Sequence, residues 1–252
     1  MGGKKFGRIN MIYKRLMSLF VTLMFAFGAS VVAFAAPDNA EKEQRNRRVL
    51  APLNIAILVQ DDLISRVGNE LNVTRDFIRS LPAGSRVMVG YITTGTLQIR
   101  QPFTTDLEKA AGSLRIPAAT TAASAYNPYV EVIEALRKFD QEGTARNAVL
   151  LISDGLDTSR GFDVTSAGRT LDLERAINEA HRRNVSVYTF YAPSVGLTSR
   201  SRLAASYGQS SLNRLANETG GKAFFQGTSF VTFDSYFARL RETLNDQYAR
   251  AR

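Results

Sequence analysis

The sequence predicts a doubly wound α/β domain: a mostly parallel six-stranded sheet in the order 3-2-1-4-5-6, with helices on both faces. Three observations predict it. Short apolar runs of strand length alternate with segments whose apolar residues recur at helical spacing. Two of the runs, Arg86–Ile92 and Thr96–Phe103, meet at a Thr94-Gly95 turn, so the third strand returns antiparallel beside the second. The centres of Asn54–Val59 and Asn147–Ile152 are apolar without alternation, as in strands covered by helices on both sides.

The elements follow in order. Asn54–Val59 is the first strand. Arg66–Leu81 carries Val67, Leu71, Phe77, Ile78 and Leu81 at roughly helical spacing, and Pro82-Ala83-Gly84 stops it. The hairpin of the second and third strands comes next, then a short helix over Asp106–Leu114. A loop of small residues, Ala118–Ser124, leads to Asn127-Pro128, where proline at the first helical position opens a helix to Phe139. Asn147–Ile152 is the fourth strand, Leu171–Arg183 a helix and Val185–Tyr191 the fifth strand. Ser211–Glu218 is a helix stopped by Gly220-Gly221, and Lys222–Gln226 is the sixth strand. Phe233–Tyr248 is an amphipathic helix with Phe233, Phe237, Leu240 and Leu244 on one stripe.

The N-terminus has the pattern of a targeting segment. Lys4, Lys5, Arg8, Lys14 and Arg15 precede an apolar stretch, Leu16–Ala36, that ends in Ala33-Phe34-Ala35-Ala36. A basic start, an apolar core and an A-x-A site describe a secretory signal peptide over residues 1–35, with Ala36 as the mature N-terminus. The stretch is also about long enough to span a bilayer, which leaves an uncleaved anchor as the alternative. Polar residues 36–50 form a linker, and 51–252 the domain. The expected location is secreted or periplasmic, or else membrane-anchored with the domain outside the cytoplasm.

Composition excludes several classes of function. There is no cysteine and a single histidine, His181, so disulfides, thiolate chemistry, a His-rich metal site and a Ser-His-Asp triad are all disfavoured. Next to Arg182 and Arg183 at a helix end, His181 reads as a solvated cap. The net charge is +9, and removing the five N-terminal cations leaves +4, which does not argue for nucleic acid. No phosphate-binding G-x-x-x-x-G-K-[ST], no G-x-G-x-x-G and no G-x-S-x-G occurs. Tyr191-Ala192-Pro193-Ser194 holds no lysine of the kind a phosphorylated receiver-like pocket would want.

In a doubly wound sheet, ligands bind beyond the carboxyl ends of the strands, at the point where the winding reverses. Here that is between the first and fourth strands, and both end in acids: Gln60-Asp61-Asp62-Leu63-Ile64-Ser65 and Ser153-Asp154-Gly155-Leu156-Asp157. Carboxylates converging there, joined by hydroxyls from Thr120–Ser124, suit a hard divalent cation. The competing reading is that Asp61 and Asp154 cap the turns that follow them.

The segment Leu150-Leu151-Ile152-Ser153-Asp154-Gly155 resembles the fourth strand and Asp-Gly of the von Willebrand factor A (VWA) domain. That family's metal-ion-dependent adhesion site uses D-x-S-x-S after the first strand, a later loop threonine and an Asp after the fourth strand. More narrowly, Asp61-Asp62-Leu63, Leu81–Val87, Phe103-Thr104-Thr105-Asp106 and Thr219-Gly220-Gly221 make the chain similar to the VWA-related family of acidobacterial secreted proteins. The resemblance covers about residues 52–248. It implies a metal site of Asp61, Ser65, Ser124 and Asp154, with Thr121 or Thr120 as alternatives to Ser124. Leu63 stands where the motif's first serine belongs and offers no oxygen, so the site is degenerate, with Mg²⁺ bound weakly or not at all. The implied function is protein–protein binding in the envelope or outside the cell, with no enzymatic activity. The alternatives are a membrane-anchored scaffold and a phosphohydrolase-type enzyme on a similar scaffold. Membrane contact is expected only if the N-terminal segment stays uncleaved.

Overall fold

Eight successive buried residues make β1 (Leu53–Gln60) the centre of the sheet. The computed structural model describes residues 52–140, 146–161, 170–225 and 232–250, with side chains as far as 246. The targeting segment and linker expected over 1–50 lie outside the described residues. Among the described residues, no helix is long and apolar enough to cross a membrane.

After β1 come α1 (Val67–Arg79), β2 (Arg86–Thr93), β3 (Thr96–Thr104), α2 (Leu107–Gly112) and α3 (Pro128–Leu136). They are followed by β4 (Arg146–Ser153), α4 (Leu171–Arg182), β5 (Val185–Tyr191), α5 (Arg202–Glu218), β6 (Ala223–Phe224) and α6 (Asp234–Arg250). The sheet order is β3-β2-β1-β4-β5-β6. β1 pairs in parallel with β2 and β4, β4 with β5, and β5 with β6, while β3 runs antiparallel to β2. This is the order and the antiparallel strand that the sequence predicts. The β2–β3 turn needs a residue with positive φ, and Gly95 supplies it at +64°.

Alternation along the central strands divides the core into two layers. Ile55, Ile57 and Val59 of β1, with Ala148, Leu150 and Ile152 of β4, face α1, α2 and α6. Ala56 and Leu58, with Val149 and Leu151, face α3, α4 and α5. The apolar stripe of α6 is buried as its spacing predicts. Phe237 stacks on Phe77 with centroids 4.5 Å apart and meets the Phe190 ring edge-on at 4.9 Å.

The described elements depart from expectation in two places. α5 begins at Arg202, nine residues before the expected Ser211. Gly208 and three serines at 206, 210 and 211 are weak helix formers, so propensity hides this half of the helix, which tertiary packing then enforces. β6 spans Ala223–Phe224 within the expected Lys222–Gln226, of which Gln226 lies outside the described residues.

Candidate functional site

Four loops meet where β1, β4 and β5 end. Backbone bonds tie them together: Ile64 N–H to the Pro193 carbonyl (3.0 Å), Val195 N–H to Asp62 (2.9 Å), Ala192 N–H to Ser153 (3.1 Å) and Ala119 N–H to Asp61 (3.0 Å). They enclose a cavity of about 210 Å³. Gln60, Asp62 and Asp154 form its floor. Thr121, Ser124 and Tyr126 line one side, Ser194, Gly196 and Leu197 another, and Leu156 and Thr158 complete it.

The loop between α2 and α3 reaches the cavity through unusual backbone. Ala119 and Tyr126 have φ of +53° and +44°. Neither is a residue type that favours this region, so the surroundings must impose it. The Tyr126 carbonyl accepts from Thr158 N–H at 2.5 Å, and the Thr94 hydroxyl donates to the Ala122 carbonyl at 2.9 Å. Asn127 caps α3 by accepting from Tyr129 N–H at 3.1 Å, and its amide donates to Asp172 on α4.

On the opposite side, α5 lies against the Asp154-Gly155 turn. Gly155 has φ +69°, and a Cβ there would stand 2.4 Å from Leu212. A Cβ on Gly208 would stand 1.9 Å from the Asp154 carbonyl oxygen. The glycine that weakens α5 as a helix is thus what lets it close on the cavity floor.

The floor is a hydrogen-bonded network. Gln60 Oε1 accepts from the Ser153 hydroxyl (2.5 Å) and Asp154 N–H (3.2 Å), while Gln60 Nε2 donates to Asp62 Oδ1 (2.7 Å). Asp154 Oδ1 accepts from Leu156 N–H (3.1 Å) and its Oδ2 from the Thr198 hydroxyl (3.0 Å). Burial, and then the charge of Asp154, push the Asp62 carboxyl up to about 6 against the hydrogen bonds of Gln60 and Ser124. Burial likewise raises Asp154, opposed by Ser194, Leu156 N–H, Thr198 and Gln60.

The four residues expected to converge do not all do so. Ser124 and Asp154 share the cavity. Asp61 points away from it: Arg115 grips its carboxylate with two bonds of 2.6 and 2.8 Å, and Ala118 N–H adds a third at 2.9 Å. Burial would raise the Asp61 carboxyl, but the Arg115 hydrogen bonds, Ala118 N–H and the Arg115 charge together hold it below the usual carboxylate range. Arg115 also lies over the Tyr91 ring, 4.1 Å from its centroid. Ser65 is exposed and its carbonyl accepts from Gly68 N–H in the first turn of α1. Leu63 is fully buried in the α1 layer of the core. Of the alternative hydroxyls, Thr121 lines the cavity.

The reason is parity. Side chains from 60 and 62 follow Leu58 to one face, while those of 61 and 63 follow Val59 to the other. The carboxylate that faces Asp154 is therefore that of Asp62. Gln60, Ser194 and Thr198 join the site without any motif that marks them. Gln60 closing an otherwise apolar strand was the available signal, because a buried amide must find partners.

Among the described residues, the exposed large hydrophobic side chains, Ile116, Tyr126, Val130, Leu171, Leu197, Leu203 and Phe225, stand at the cavity end of the sheet. Ile116 and Tyr126 lie in the loop between α2 and α3, Leu197 and Phe225 follow β5 and β6, and Val130, Leu171 and Leu203 stand in the first turns of α3, α4 and α5.

No protein-family model and no curated protein matches the sequence. Among solved structures, the chain is similar to BatB, a conserved hypothetical protein from Bacteroides thetaiotaomicron, at 14% identity and a TM-score of 0.55, covering 78% of this chain and 99% of that one. It is also similar to an aerotolerance-related membrane protein from Bacteroides fragilis, at 12% identity and a TM-score of 0.54, covering 77% and 99%. The SpRpn10 VWA domain is a weaker match, with a TM-score of 0.45. These likenesses show the fold alone: a mostly parallel six-stranded α/β sheet with a single antiparallel edge strand.

Proposed function

We propose that the chain is a protein-binding module that docks its partner at the cavity end of the sheet and performs no catalysis. The observation that carries this reading is the gathering of exposed apolar side chains at that end, Tyr126 at 51% and Leu197 at 43% exposure, on the rim of the cavity. Apolar residues concentrated on one end of a molecule mark an interaction surface. Among the described residues the floor offers no activated nucleophile: the Ser194 hydroxyl contacts Thr198, and no histidine or lysine lines the cavity.

A metal ion is not a required part of this reading. A hard dication wants about six oxygens in its shell. The oxygens of Gln60 and Asp154 already accept hydrogen bonds, as does Asp62 Oδ1, and Gln60 contributes a neutral amide. This donor set does not fit a tightly held Mg²⁺. The basic start, apolar stretch and A-x-A pattern of the first 36 residues favour work in the envelope or outside the cell. The membrane protein among the structural neighbours makes an N-terminal anchor the second form of the same reading.

The test is partner capture from envelope fractions with the full chain and with a Tyr126→Ser/Leu197→Ser variant, each with and without chelator. A partner held by the unmodified chain, lost by the variant and indifferent to chelator supports the reading. Capture that the variant retains assigns binding to another surface. Capture abolished by chelator restores a bridging metal. Robust turnover of phosphate esters, peptides or acyl esters, abolished by Asp154→Asn, would replace binding with catalysis.

A further inference from the structure

The loops at the cavity end sort their charges by sign. Within 61–66, 154–161 and 192–202 the acids are Asp61, Asp62, Asp154 and Asp157. The first three are at most 5% exposed, and Asp157 Oδ1 accepts from the backbone N–H and hydroxyl of Ser159. The arginines of the same segments are Arg66, Arg160, Arg200 and Arg202. All four are exposed, and among the described residues none of them forms an ion pair. A stretch that is close to neutral in sequence therefore presents a positive rim to solvent.

We propose that the partner docked here is an acidic, apolar protein segment, with carboxylates on Arg66, Arg160, Arg200 and Arg202 and apolar side chains over Tyr126, Leu197 and Leu203. This deepens the proposed docking role of the same end and rests on it. Two features support the choice. Exposed guanidinium groups take carboxylates in paired, charge-assisted hydrogen bonds. The floor carboxylates, which would repel an acidic segment, are recessed and engaged by Leu156 N–H, the Thr198 hydroxyl and the Gln60 amide, so an arriving segment meets the arginines first. The concave shape between the loops suits an inserted side chain better than a flat bilayer. Recognition is thus made by side-chain cations on the rim, with no ion bridging from the floor.

Fluorescence anisotropy of the full chain with three labelled peptides tests this: alternating Glu and Leu, alternating Lys and Leu, and alternating Ser and Leu. The Glu-Leu peptide should bind tightest, weaken as salt rises and be unaffected by chelator. Substituting all four arginines by Gln should weaken it about tenfold, the expected sum of four exposed pairs. Tyr126→Ser/Leu197→Ser should weaken binding in the unmodified and arginine-free backgrounds alike. Tighter binding of the Lys-Leu peptide, equal binding by the arginine-free variant, or preference for phosphatidylglycerol vesicles over the Glu-Leu peptide would each overturn the proposal while leaving a docking end in place. If no peptide binds in a manner that depends on Tyr126 and Leu197, the docking role itself falls, and this proposal with it.

Discussion

Replacing Leu63 by serine separates two registers of the segment after β1. If the side chain of 63 faced the cavity, a hydroxyl would add an oxygen to a polar site at little cost to stability. In the structure Leu63 is fully buried within the apolar layer against α1, and its backbone bridges to Ser194. Removing most of a buried leucine costs about 2–5 kcal/mol, with the spread set by how far the site collapses. A serine hydroxyl left in apolar surroundings adds about 1–3 kcal/mol unless it bonds its own backbone. The expected loss for Leu63→Ser is therefore about 3–8 kcal/mol, a large share of the roughly 5–15 kcal/mol that holds a typical domain folded. At about 2–4 °C per kcal/mol for a domain of this size, the midpoint of thermal unfolding should fall by about 10 °C. Denaturant titration followed by circular dichroism measures it, with an unchanged slope confirming that the native state is intact. A loss below about 1 kcal/mol, especially with stronger Mg²⁺ binding, would show that 63 faces the cavity and refute the parity argument.

Three further perturbations test the site. Gly208→Ala forces a Cβ to within 1.9 Å of the Asp154 carbonyl unless α5 moves, so it should cost about 2–4 kcal/mol, whereas Gly112→Ala, with nothing within 4 Å, should cost little; parallel melts of the two decide it. Arg115→Gln leaves the buried Asp61 carboxylate without its bidentate partner, and with Arg115 about one-third exposed the loss should be a discounted 1–3 kcal/mol, roughly. Because the folded Asp61 carboxyl lies below its unfolded value, the stability it contributes is present above about pH 4 and disappears as pH falls through the folded value, so the acid limb of a stability–pH curve should flatten in this variant. Asp62 has the opposite sign: its folded carboxyl is raised to about 6, so its contribution is complete below the unfolded value of 3.8 and is lost as pH rises through 6. Asp62→Asn should therefore stabilise the chain by about 2–3 kcal/mol at pH 7.5 and by nothing near pH 4; destabilisation at pH 7.5 would mean that the native site holds the Asp62 charge with a cation.

The strand order was legible because it depends on signals that survive without contacts: apolar runs too long to be loops, helical spacing between them, and a glycine turn that permits only a hairpin. The location of the site followed from that order, since β1 and β4 are neighbours and both run into acids. The identity of the floor was not legible. A strand covered on both faces has no apolar–polar alternation, so nothing in Asn54–Val59 says which face the next side chain takes, and Asp61 and Asp62 differ only in parity. Arg115, which claims Asp61, lies 54 residues away in a loop whose path no local rule predicts. The first half of α5 is illegible for a related reason: Gly208 is unfavourable as helix sequence and necessary as helix packing.

The two ends of the sheet are built to different standards. Away from the cavity, ion pairs join Arg86 to Asp140, Arg183 to Glu179 and Arg79 to Glu108, and among the described residues the non-glycine residue with positive φ there is Asn184, a type that tolerates the left-handed region. At the cavity end the residues in that region are Ala119 and Tyr126, which do not tolerate it well, and the raised carboxyls of Asp62 and Asp154 lie close enough together to repel. Tyr126 is at once strained, half-exposed and bonded through its carbonyl to the loop after β4. Strained backbone, like charges buried side by side and uncovered apolar side chains each cost stability, and nothing in the packing of the sheet requires them at one end and not at the other. Gln60 shows the same asymmetry from beneath: its amide satisfies Ser153 and Asp154 N–H with one atom and Asp62 with the other, holding the two carboxylates apart at fixed positions without neutralising either. A core built only for stability would bury apolar groups of the same volume there. The cost is concentrated where the four loops meet, and it is the reason to place function at that end of the molecule.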